Sequence, residues 1–103
     1  MLLSVPVWVL REILDLAKHV SASRIMFFGG YETGDGTYRF SVDLEFGVSE
    51  SEASTVPHLL KAMSVERNVD GVKLTIVPES LQIYTTGAAR ISLTVKMEKH
   101  SEG

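Results

Sequence analysis

The sequence predicts a small α+β domain, a two-layer sandwich in which two amphipathic helices cover one face of a four- or five-stranded antiparallel sheet. Three observations carry this expectation. First, Tyr38, Phe40, Val42, Leu44 and Phe46 alternate with Arg39, Ser41, Asp43 and Glu45, and Ile91, Leu93, Val95 and Met97 alternate with Ser92, Thr94, Lys96 and Glu98. A period of two marks strands with one buried and one wet face. Second, two other segments repeat apolar residues at the three-and-four spacing of a helix buried along one side. Third, 103 residues, 45% of them hydrophobic and 22% charged, match one domain, residues 1–103, that buries a core without staples.

The elements follow in order. Ser4 and Pro6 read as a helix start, because a side-chain oxygen caps free N–H groups and proline fits the first turn. The helix runs to about Val20, with Leu10, Ile13, Leu14 and Ala17 predicted to face the core and Arg11, Glu12, Asp15 and Lys18 to face water. Arg24 to Phe28 has the β-branched and aromatic content of a strand closed by Gly29-Gly30, and Gly34-Asp35-Gly36 supplies the turn of a hairpin into the alternating segment that ends at Phe46. Thr55-Val56-Pro57 opens a second helix with Val56, Leu59, Leu60 and Met63 inward, in preference to a start at Ser49 that would place Pro57 in its interior. Asn68 to Gly71 breaks that pattern, and Val72, Leu74 and Ile76 form a third strand up to Pro78. Leu81 to Thr85 is an optional short strand before the last one. The order is therefore αββαββ with an optional extra strand, which makes a ferredoxin-like sandwich the economical architecture.

Composition closes several function classes. Without cysteine there is no disulfide framework, thiolate zinc site or cysteine nucleophile. A formal charge of −3 with no Lys/Arg cluster argues against nucleic acid, whose binding needs several phosphates neutralised together. The apolar start, Met1 to Leu10, lacks a basic flank and is too short to span a bilayer, so no membrane insertion by this chain is expected.

No residue arrangement demands a particular chemistry. His19, His58 and His100 show no metal-ligand spacing, and His19 fits the last turn of a helix, where the dipole favours a cation. Asp43 and Glu45 point the same way on one strand, as an acid-base pair would, yet Arg39 and Lys96 on that face offer ordinary cross-strand charge partners. Gly29-Gly30 and Gly34-Asp35-Gly36 are followed by a strand rather than by a helix N-terminus, which excludes a phosphate loop. The aromatic-flanked stretch from Phe27 to Tyr38 nevertheless has the composition of a binding loop. The sharpest feature is the consecutive apolar run around Trp8, which cannot all face one side of a helix. Val5, Val7, Trp8 and Val9 are therefore the candidate interface, with composition enriched at subunit contacts. The expected function is a non-enzymatic protein-interaction or assembly module, acting as a homodimer or with a protein partner and needing no cofactor or metal. The alternative is a small-ligand or metal sensor using the Gly29–Gly36 loop.

The helix-strand-strand succession, with Pro57 to Met63 followed by Gly71-Val72-Lys73-Leu74-Thr75-Ile76, resembles the periplasmic ferredoxin-like domains of type IV pilus and type II secretion platform proteins, the PilO, PilN and GspM families. That resemblance implies a scaffold forming homo- or heterodimers. Gly71 to Pro78 is similar to a segment of the nickel-delivery protein HypA, whose zinc-binding cysteines have no counterpart here, and the first two-thirds follows the element order of the cytoplasmic domains of cation-diffusion transporters. Three unrelated functions on one pattern point to a shared fold type rather than a shared activity.

Overall fold

The computed structural model describes residues 5–99. They form α1 (Val7–His19), β1 (Arg24–Glu32), β2 (Thr37–Gly47), α2 (Val56–Lys61), β3 (Val65–Val69), β4 (Val72–Ile83) and β5 (Ala88–Lys99). The strands make one antiparallel sheet in the order β1-β2-β5-β4-β3. The α+β class and antiparallel sheet are as expected. Five strands, the larger of the two counts expected, are present, with three after α2, but the strand order is not the simple ferredoxin-like one expected for αββαββ: β3 lies at the far edge of the sheet from β1.

The difference arises at two places. Asp70 and Gly71 have φ of 50° and 76°, and Val69 pairs with Val72 across them, so they form a two-residue hairpin turn rather than a mere break. The strand before it, β3, has no alternation to read, because its three central side chains are exposed at the sheet edge. The second place is Pro78. Instead of ending β4 it sits in an irregularity between Pro78 and Ser80, and the optional strand after it is the continuation of β4. The slip changes parity, so that Leu74 and Ile76 before it and Leu81 and Ile83 after it lie opposite Met97, Val95, Ile91 and Ala89, all buried residues of β5. β3 reaches only Ile76, so the missing N–H of Pro78 falls where that side of β4 has no partner strand.

The core joins Phe40, Val42, Leu44 and Phe46 of β2 and Ile91, Leu93, Val95 and Met97 of β5 to residues of β4 and of both helices. α1 contributes Val9, Ile13, Leu16 and Ala17, not the predicted Leu10, Ile13, Leu14 and Ala17. Both sets satisfy helical spacing, and the apolar run at the helix start does not choose between them. On one flank Glu12, expected in water, pairs with Arg67 of β3 at 2.8 Å. On the other, Leu10 is half-buried and Leu14 is 48% exposed, both left over the β1 side of the sheet. In α2, Val56 is buried and Leu59 and Leu60 are half-buried; Met63, just beyond its end, is buried.

Candidate functional site at the β1 edge

β1 is the first strand of the sheet and has a neighbour on one side only. Its register with β2 places Ile25 and Phe27 opposite Leu44 and Val42, on the core-facing side, and Met26 and Phe28 opposite Asp43 and Ser41, on the other. The predicted end of this strand at Gly29-Gly30 is instead an irregularity: the register shifts between Phe28 and Tyr31 and the strand continues to Glu32. Phe27, Phe28 and Tyr31 are 54%, 47% and 57% exposed. Three large aromatic side chains on one edge strand form an unusual concentration of exposed apolar surface.

Between this strand and the start of α1 lies a cavity of about 440 Å³. Val5 and Leu10 form its helix side. Phe27 and Phe40 form part of the sheet side, their ring centroids 6.4 Å apart and the rings tilted by 33°. Tyr38 completes the aromatic wall on this face, while Phe28 and Tyr31, opposite Ser41 and Arg39, border the cavity from the other face of β1. Glu32 is its one charged group among the described residues. Glu32 lies opposite Tyr38 across the strand pair, and the phenol of Tyr38 donates a hydrogen bond to the carboxylate. That bond, and then the negative charge itself, hold the Tyr38 phenol above its ordinary value of 10.0. Further along the same α1–β1 seam, Leu14, Ala17, Ala22 and Ile25 line a second, more open hollow of about 410 Å³.

The predicted interface residues separate. Val7 is 64% exposed, Val5 and Trp8 are half-buried against the core, and Val9 is completely buried. Val9 is therefore a core residue and offers no surface to a partner. The Ser4 cap and His100 lie outside the described residues.

The predicted Gly29–Gly36 loop resolves into the end of β1 and a tight turn. In that turn Thr33 donates from Oγ1 to the Asp35 carboxylate, and the Thr37 N–H donates to Asp35 Oδ1 at 3.2 Å. These bonds lower the Asp35 pKa below its ordinary 3.8. Gly36, with φ of 84°, takes the left-handed position that closes the turn.

His19 occupies the last turn of α1 and lines a hollow of about 160 Å³ with Glu52 and Thr55. His58 is exposed on α2. No group of three or more metal-ligating side chains occurs among the described residues.

Asp43 and Glu45 do face the same way, but their partner is Arg90 rather than Arg39 or Lys96. Arg90 Nη2 lies 2.7 Å from Glu45 Oε1 and Arg90 Nε 4.0 Å from Asp43 Oδ2. Arg90 stands directly across from Glu45, whereas Arg39 stands across from Lys96, which pairs with Glu98. Asp43, only 8% exposed, is closed in on a face expected to be open. One guanidinium serving two carboxylates is a structural ion-pair arrangement, and no cavity opens onto it among the pockets lined by described residues.

The sequence singled out the stretch from Phe27 to Tyr38, which contains Glu32, and Val5 of the α1 wall, but not their meeting in one cavity, because neither the helix rotation nor the strand irregularity is visible without the fold. No protein-family model and no characterised protein matches this chain in sequence.

Proposed function

We propose that this domain is a non-enzymatic assembly module that dimerises by pairing β1 edge to edge with β1 of a second copy. The observation that supports it is the contrast between the two sheet edges. β3 is defended in the usual ways, being five residues long with exposed Glu66, Arg67 and Asn68 at its centre. β1 is nine residues long, contains no lysine or proline, exposes Phe27, Phe28 and Tyr31, and runs regularly from Arg24 to Phe28 before its irregularity at Gly29-Gly30. Undefended, aromatic-rich edges add strands, because their unpaired backbone groups and apolar side chains are satisfied together.

The charges favour a second copy as the occupant. Arg24 opens β1 and Glu32 closes it. Antiparallel self-pairing brings each strand end near an end of opposite charge on the other copy, with Arg24 and Glu32 on opposite faces of the joined sheet, whereas parallel pairing brings like ends together. This reading moves the contact from Val5–Val9 to the neighbouring strand.

Sedimentation velocity of the wild type and of Phe28→Lys tests it. The wild type is expected to show a concentration-dependent dimer, and Phe28→Lys, which puts a charge on an exposed edge position, a monomer of unchanged melting temperature. A wild type that stays monomeric at high concentration, or a dimer that survives Phe28→Lys, refutes edge pairing.

A further inference from the structure

The cavity behind β1 lies between side chains of β1 and α1, apart from the outer backbone edge that pairing engages, and shares only Glu32 with the pairing described above. Phe27, Tyr38 and Phe40 stand on the sheet face that it shares with α1, Phe28 and Tyr31 border it from the other face of β1, and Glu32 is its one carboxylate, with no basic group among the described residues. At about 440 Å³ it falls within the range of small-molecule sites.

The geometry points to a binding site for an organic cation, an alkylammonium group enclosed by the aromatic faces with Glu32 as its counter-charge. Aromatic rings present the negative face of their quadrupole to a cation within about 6 Å of the ring centroid. Phe27, 54% exposed, is the accessible ring of this wall, and Phe40, 4% exposed with its centroid 6.4 Å away, backs it. An anion is repelled by the Glu32 carboxylate. A hard metal cation finds too few oxygen ligands, since no cluster of three metal-ligating side chains exists among the described residues. A neutral apolar ligand satisfies the walls but gains nothing from Glu32. Only a cation with apolar substituents uses every group in the lining.

Choline and its uncharged carbon isostere, dimethylbutanol, distinguish these cases in titrations followed by the ring-proton NMR signals of Phe27, Phe40 and Tyr38. Choline is expected to bind roughly tenfold more tightly than the isostere. Glu32→Gln should abolish that preference, and Phe27→Leu, at an exposed position, should weaken choline while leaving the isostere unchanged. Thermal melts establish that both variants are folded. Equal affinity for the two probes, binding of neither, or wild-type choline affinity in both variants overturns the inference. The result is independent of the dimer, because a monomer that binds choline refutes edge pairing and leaves the cation site standing.

Discussion

Two valines in the first turn of α1 provide a matched test of how that helix is set on the sheet. Val7 and Val9 carry the same side chain two residues apart, but Val7 is 64% exposed and Val9 is completely buried. Replacing Val9 with alanine removes two buried methyl groups, about 1.6 kcal/mol of transfer free energy at 0.8 per group. It also leaves a void of roughly 50 Å³, which at about 24 cal/mol per Å³ adds about 1.2 kcal/mol if nothing collapses. Alanine's better helix propensity returns about 0.5 kcal/mol. The net loss is about 2 kcal/mol, or roughly 8–16 °C in melting temperature for a domain of this size. At Val7 only about a third of the side chain is out of water, so the transfer loss is about 0.5 kcal/mol and the propensity gain cancels it. Urea unfolding followed by the fluorescence of Trp8 and by circular dichroism measures both. If the two substitutions cost the same within about 0.5 kcal/mol, the orientation of α1 described above is wrong.

Two further predictions concern turns. Gly71→Ala forces a side chain into the left-handed region at φ of 76° and should cost about 1–2 kcal/mol in urea unfolding, whereas Gly29→Ala, with open space around the added Cβ and no such φ, should change stability by less than about 0.5 kcal/mol. In the β1–β2 turn the Asp35 carboxylate is lowered below its ordinary 3.8, so its stabilising effect is fully present above that value and is lost as the pH falls through the lowered one. The stability difference between wild type and Asp35→Asn should therefore be constant near neutrality and shrink in acid; a difference independent of pH contradicts the role given to the Thr33 and Thr37 bonds.

The central strands were legible because their burial is one-sided and long. β2 and β5 are neighbours, each covered on its inner face and polar on its outer face, so the alternation of Phe40 to Phe46 and Ile91 to Met97 survives intact. β3 was not legible because an edge strand with three exposed central residues has no alternation to show. The continuity of β4 was hidden by Pro78, which ends strands when both sides are paired but is tolerated where one side is free. Strand order depends on pairings between distant segments, as when Glu45 meets Arg90, and no local pattern encodes it.

The error in the facing of α1 and the failure to foresee the cavity have the same physical origin. Had Leu10 and Leu14 been the inward residues, they would have gone down onto the sheet beside Ile25 and Phe27 and filled the space now open there. Instead Val9, Ile13 and Leu16 take the core, and Glu12 comes within 2.8 Å of Arg67 on the β3 side. Leu10 then becomes a wall of the cavity, Leu14 a wall of the hollow beyond it, and Phe27 keeps more than half its surface in solvent. Core packing and candidate site are thus two consequences of one helix rotation. Val9 indifferent to truncation would remove the aromatic cavity along with the core assignment, whereas a large cost at Val9 and none at Val7 supports the helix orientation on which the organic-cation site depends.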